Sequence, residues 1–331
     1  MSLRSKIFSL ILLLAPLLGN AQQKDTLTKK LDSLSKKTDS SGVIQKNNIS
    51  PAAYNENTKM TVHIYFALLA NDFKQQVTSP FNASGRDWLK VAGFALLTTG
   101  CALFVDKPVN RLAIDIRKNS NSVVSASSYI TNFGGVYEGY TLAAFAAYGY
   151  IFKKEKTKTT VFLATQAYLT AGAIETVFKY LTGRQRPSYY DPATGTNNPS
   201  WHGPFYEFTK NSKGIRPANS SYTSFPSGHT TVAFAAATVF AMEYKNSKFV
   251  PIIAYTAATL IGLSRLIENQ HWSSDVLVGA ALGYLCGRQV VNNYHRYSKI
   301  KSSPAKAKNT ISFNLNYAHG IFLPGFVYTF R

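Results

Sequence analysis

Cysteine is nearly absent. The only two in 331 residues, Cys101 and Cys286, each lie inside an apolar stretch, so a disulfide framework is excluded and both read as buried hydrophobes. Acidic side chains are also scarce: 16 Asp and Glu face 36 Lys and Arg, a formal net charge of +20. No cluster of residues with metal-ligand spacing is evident, so a metal-free chemistry without a cofactor is expected. A basic face with interleaved aromatics, which nucleic-acid binding asks for, is missing too. The cations gather instead in the N-terminal tail, in Lys153-Lys154-Glu155-Lys156-Thr157-Lys158 and after Tyr294, between or beyond apolar stretches. Anionic lipid head groups or an anionic small molecule are the expected partners, and nucleic acid is not. Nothing in the sequence sets an oligomeric state.

Several regions follow in order. Arg4 and Lys6, the apolar run Ile7 to Leu18 and the small residues Gly19-Asn20-Ala21 have the form of a secretory signal over residues 1–21. A membrane anchor that is kept is the alternative. Residues 22–59, rich in Lys, Ser, Asp, Asn and Thr without a sustained period, are expected to be a disordered linker. Thr61 to Phe73 reads as an amphipathic helix. Six apolar segments then run from about Trp88 to Val105, Val136 to Phe152, Thr160 to Leu181, Thr230 to Tyr244, Phe249 to Ile267 and Asp275 to Val291. Asp106 to Ser128, with polar and apolar residues in helical alternation, reads as one surface helix. At ~1.5 Å per residue most of the apolar segments reach about 24 to 33 Å, enough or nearly enough for a ~30 Å bilayer core. The mean hydropathy of −0.09 is low for six spans. The fold class is therefore all-α, a six-helix bundle over residues 60–295. A basic linker and a strand-like tail over 296–331 follow, in which Ile311, Phe313, Leu315 and Tyr317 alternate with polar or small residues in a hairpin pattern.

Three polar blocks stand where these segments meet loops: Lys179 with Arg186-Pro187; Pro226-Ser227-Gly228-His229; and Ser264-Arg265 with His271 and Asp275. Taken singly, each has an ordinary structural reading, as a helix cap or as a cation snorkelling from a helix end. Together they supply three permanent cations, two histidines and a carboxylate, the inventory for holding a phosphate and passing it through a histidine. Two guanidinium forks match the oxygens of such an anion, and Lys179 adds a point charge. Ser227 and Gly228 at a helix start offer backbone N–H groups at the positive end of the helix dipole. His271 and Asp275 are four apart, so on a helix the carboxylate can take the Nδ1 proton and leave Nε2 free to attack.

The order Lys, six residues, Arg-Pro; Pro-Ser-Gly-His; Ser-Arg, five residues, His, three residues, Asp resembles the superfamily of type 2 phosphatidic acid phosphatases and vanadium haloperoxidases. Every position is matched, and the resemblance covers roughly residues 85 to 292. It implies a helical bundle in which Lys179, Arg186, Ser227, Gly228 and Arg265 bind phosphate. It also implies that His229 is the general acid, His271 the nucleophile and Asp275 its orienter. The expected activity is hydrolysis of a lipid phosphate or diphosphate. A soluble-substrate acid phosphatase, a vanadium haloperoxidase and a non-catalytic binder of anionic lipid are the alternatives. The loop Ser188 to Phe225, with Tyr189, Tyr190, Trp201, His202, Phe205, Tyr206 and Phe208, reads either as a pocket entrance for lipid or as a lid packed on itself. Six spans would put the basic loops inside and the three blocks outside, facing the periplasm or exterior. A cleaved signal, which leaves Gln22 outside, conflicts with six spans.

Overall fold

The computed structural model describes residues 60–189, 198–209, 220–302, 310–318 and 321–329. The expected signal and linker, residues 1–59, lie outside the described residues, as do 190–197 and 210–219 of the aromatic loop. The bundle is helical throughout. Helix α1 (Val62–Thr78) starts at Thr61, whose hydroxyl accepts from the Ile64 N–H, and continues five residues past the expected end at Phe73. It presents a polar stripe to the bundle: Asp72 accepts from Asn293 at 2.6 Å, and Gln76 donates to Thr170 at 3.2 Å. Helix α2 (Gly85–Phe104) follows a capping box made by Ser84 and Asp87.

The stretch expected to be one surface helix is two. Helix α3 (Asp106–Asn119) ends at Ser120, which is extended at φ −146°, and the Ser120 hydroxyl accepts from the Val123 N–H to start α4 (Asn121–Asn132). A serine that caps the following turn offers the backbone an alternative to continuing the helix, and here that alternative is taken. Helices α5 (Val136–Ile151) and α6 (Glu155–Thr182) come next, and α6 stops at Gly183, which adopts φ +57°. The last three are α7 (Gly228–Glu243), α8 (Phe249–Ile267) and α9 (Ser273–Ser302). Strands β1 (Thr310–Ala318) and β2 (Ile321–Thr329) pair antiparallel in the expected hairpin, Ala318 opposite Ile321.

Helix α7 is the centre, packed on α6, α8 and α9. Its buried face is mostly alanine and threonine, and alanines of α6 (Ala164, Ala167 and Ala171) are fully buried in the same core. On α9, Gly279, Gly283 and Gly287 form one stripe against α7: a Cβ at Gly279 would stand 2.7 Å from the Ser227 carbonyl oxygen, and those at Gly283 and Gly287 would run into the carbonyls of Thr231 and Ala235. Small residues at such a seam let two backbones touch, the mode of association that works where lipid removes the hydrophobic drive between helices.

Among the described residues three helices, α2, α6 and α8, are long and apolar enough to cross a membrane, and none of the residues of α2 is buried. Leu89, Leu96, Leu97, Leu103 and Phe104 on α2 and Phe249, Ile252 and Ile253 on α8 are all well exposed. An apolar jacket of this extent belongs in lipid, because water-facing monomers rarely carry one.

Candidate active site

The polar blocks converge at one end of the bundle. Lys179, in the last turn of α6, points its ammonium at the first residue of α7, so that a Cβ on Gly228 would stand 2.8 Å from Lys179 Nζ and 2.9 Å from Glu175 Oε1. A larger residue there would have to push aside the ends of the Lys179 and Glu175 side chains. Ser227 is the N-cap residue and Gly228 opens α7, which leaves the N–H groups of the first turn without carbonyls of the helix to bond. Ser227 itself is committed elsewhere: its N–H donates to the Asp275 carbonyl at 3.1 Å, and its hydroxyl pairs with Thr230 at 2.8 Å. When its hydroxyl accepts from Thr230, its own proton remains available for an anion.

His229, second in α7, lies beneath the turn between α4 and α5, where a Cβ on Gly135 would stand 3.4 Å from Nε2. Burial, followed by the charges of Arg265, Lys179 and Arg186, pushes its pKa down to about 3. The same three cations act on His271, whose pKa is also held well below the usual histidine value, burial being the largest cause. Both histidines thus feel the charges of Lys179, Arg186 and Arg265.

Arg186 is aimed by loop carbonyls. Its Nε donates to Ser220 O at 2.6 Å and one terminal nitrogen donates to the Gln270 side chain at 3.1 Å. Burial, then the neighbouring Arg265, lowers its pKa to about 10, so it stays charged at neutral pH. Arg265, in the last turn of α8, is held by an ion pair to Glu268. Lys179 pairs with Glu175 at 2.9 Å. Ser264, beside Arg265, is structural: its hydroxyl bonds Thr131 at 2.7 Å and ties α8 to α4.

The relation of His271 to Asp275 differs from the expected one. His271 Nδ1 bonds the Ser224 carbonyl at 2.7 Å, and Asp275 Oδ2 is 3.7 Å away. The i, i+4 rule applies within a helix, but α9 begins at Ser273, so His271 is still in the loop. Asp275 instead caps that turn, accepting the Trp272 N–H at 2.8 Å and the Ser224 hydroxyl at 2.6 Å. A carbonyl can only accept, so Nδ1 carries the proton and Nε2 is left as the unprotonated nitrogen.

Four residues of the site have no place in the three sequence blocks. Arg184 is fully buried and forms ion pairs with Asp275 and, at 2.6 Å, with Asp106. Asp106 also accepts from the Ser274 N–H at 2.8 Å and its hydroxyl at 2.7 Å. Ser224 and Glu175 complete the set. Of the aromatic loop, the described part is packed on itself and on the bundle: His202 stacks on Tyr206 with centroids 4.2 Å apart, Tyr206 meets Tyr222 at 4.7 Å, and Trp201 covers Arg184 at 4.5 Å. That is the lid-like alternative, held by hydrogen bonds such as Gln185 N–H to Ser200 O at 3.0 Å.

Comparison with known proteins relates the helical core to one family. Residues 160–299 match the family model described as the PAP2 superfamily. Over 74 residues, 22% of this chain and 17% of the other, it is 49% identical to a lipid A 1-phosphatase of Porphyromonas gingivalis. Over 154 residues it is 30% identical to lipid phosphate phosphatase 1 of Arabidopsis thaliana, covering 44% of that protein. The chain thus spans less than half the length of either relative. The crystal structure of Aquifex aeolicus LpxE overlaps 57% of this chain and 95% of its own, at 23% identity and a TM-score of 0.39. The similarity to the PAP2 superfamily thus lies in the helical core, residues 160–299, and covers less than half of the chain.

Proposed function

We propose that this protein is a membrane-embedded phosphatase that hydrolyses a lipid phosphate or diphosphate through a phosphohistidine. The observation that carries the proposal is the convergence of Lys179, Arg186 and Arg265 on His229 and His271, with Gly228 keeping the approach open. Phosphoryl transfer asks a protein mainly for position and for charge to match the equatorial oxygens, and three permanent cations beside a helix N-terminus supply both. His271 Nε2 attacks phosphorus while His229 gives a proton to the departing ester oxygen. Water then attacks the phosphohistidine, His229 takes a proton from that water, and phosphate leaves. Asp275 acts as the orienter through the Ser224 contact. In this reading the charge on the anion is met by Lys179, Arg186 and Arg265, and no metal is invoked.

The lipid assignment is supported by the exposed apolar helices and by the names of the relatives, so lipid A and phosphatidic acid are the first substrates to test. The site is read as facing the periplasm or exterior, opposite the basic segment Lys153 to Lys158. Phosphate release from lipid phosphates should exceed that from nucleotides and sugar phosphates, and orthovanadate should compete with substrate. Preference for soluble monoesters would replace the lipid assignment with that of an acid phosphatase.

A further inference from the structure

We infer that Arg184 is a positioning residue of this site: clamped between Asp106 and Asp275, it fixes the carboxylate that holds Ser224, and through the Ser224 carbonyl it sets the tautomer and aim of His271. The inference rests on the phosphohistidine reading and extends it to residues outside the three sequence blocks.

The geometry is a chain of contacts. Asp106, the first residue of α3, takes one terminal nitrogen of Arg184 at 2.6 Å and both polar groups of Ser274. The other terminal nitrogen of Arg184 donates to Ser274 Oγ at 2.7 Å and to Asp275 Oδ1. The second oxygen of Asp275 accepts from the Ser224 hydroxyl and the Trp272 N–H, and the carbonyl of the same Ser224 accepts the His271 Nδ1 proton. Arg184, Asp106, Asp275, Ser274 and Ser224 are all fully buried, and the Trp201 ring closes over the guanidinium.

Such a cluster is a poor choice for stability alone. Desolvating two carboxylates and a guanidinium costs about as much as their attraction returns, and apolar residues of similar volume commonly do as well or better. What the cluster provides is a rigid fork. A guanidinium can bond two carboxylates at a fixed angle, whereas an ammonium is a single point without that geometry. With both carboxylates ionised the cluster would carry one net negative charge, and Asp275 Oδ2 is 3.7 Å from Nδ1 of His271. The other groups acting on His271 are the cations Arg186, Arg265 and Lys179. The imidazolium formed when Nε2 bonds phosphorus is therefore supported from the Nδ1 side by this cluster.

The test compares turnover with two kinds of anion binding in the full-length, detergent-solubilised protein. Turnover is measured on dioctanoyl phosphatidic acid; binding is measured with inorganic phosphate, which needs the cradle, and with orthovanadate, which also bonds the nucleophile. Arg184→Met should lower kcat about 100-fold with KM nearly unchanged, by analogy with other orienting residues. It should weaken orthovanadate about ten-fold and leave phosphate affinity within about three-fold. Arg184→Lys should recover about a tenth of the lost activity, because it can still hold Asp275 but not both carboxylates. Asp106→Asn keeps Arg184 on Asp275 and should reduce kcat about ten-fold; it decides the matter if Arg184→Met does not fold. The inference fails if folded Arg184→Met, or Asp106→Asn in its place, keeps wild-type kcat. It also fails if phosphate and orthovanadate weaken in parallel, or if lysine is no better than methionine. A wild-type protein inactive on the lipid would count against the proposed substrate, while the vanadate-to-phosphate comparison would still decide the role of Arg184.

Discussion

For the role proposed for His229, a general acid with a pKa near 3 is almost wholly unprotonated at pH 7, so the proton it donates has to arrive with the anion. His229 is held down by burial and by Arg265, Lys179 and Arg186, and an anion bound among those cations would offset them. At about 4 Å, and with an effective dielectric of about 20, each charge on the anion is worth about 4 kcal/mol to an imidazolium. A dianion supplies about 8 kcal/mol. Lifting the pKa from about 3 to 7 needs only about 5.6 kcal/mol, at about 1.4 kcal/mol per unit. Because the pKa is lower without the anion than with it, anion binding takes up protons and tightens as pH falls between the two values. Sulfate suits the measurement, since it carries no proton of its own near neutrality. Titration calorimetry at pH 7 in buffers of different ionisation enthalpy should show uptake of about one proton per sulfate bound, and His229→Ala should abolish it. No uptake in the wild type would refute the reasoning. Uptake that survived in His229→Ala and vanished in His271→Ala would give the proton to the other histidine and reverse the two roles.

His271→Ala should abolish turnover on every ester, whereas His229→Ala should lose about 100-fold on an alkyl phosphate and far less on p-nitrophenyl phosphate, whose leaving group needs no proton; equal losses on both would contradict the acid assignment. EDTA should leave activity unchanged, and a loss reversed by Mg²⁺ or Zn²⁺ would overturn the metal-free reading. In a background lacking Cys101 and Cys286, Asn198→Cys should be labelled by an impermeant thiol reagent on intact spheroplasts and Lys154→Cys should not; the reverse pattern would place the site inside. Gly283→Ala drives a methyl into the Thr231 carbonyl, so thermal unfolding should show a loss of about 1 to 3 kcal/mol.

The six apolar segments and the convergence of their ends were legible because helix length, apolar content and terminal polar residues are local properties. The block residues could be identified for the same reason: Arg-Pro, Ser-Gly-His and Ser-Arg are short, and each sits at a helix boundary. What escaped was pairwise and long-range. Arg184 meets Asp106 across 78 residues and Asp275 across 91, and no local pattern announces such a partnership. The expected His271 to Asp275 hydrogen bond failed at a boundary: a start two residues after His271 puts the carboxylate to work as a cap. The break at Ser120 was accessible in principle, from a serine followed three residues later by the N–H it caps, but the amphipathic alternation runs on across it.

The glycine stripe of α9 has a consequence for the chemistry at its end. His229 rides on the start of α7, while His271 and Asp275 flank the start of α9, and the Ser227 N–H to Asp275 carbonyl bond joins the two starts. Gly279 faces the Ser227 carbonyl oxygen directly, and Gly283 and Gly287 extend the contact one and two turns further. The thickness of that seam is the gauge that sets how far apart His229 and His271 stand. One methyl anywhere along it would tilt one helix from the other and open the gap between the histidines, even though it touches neither of them. Since a misplacement of about 1 Å can cost about 100-fold in rate, residues whose side chain is a single hydrogen atom are held to tolerances ordinarily reserved for the groups that meet the substrate.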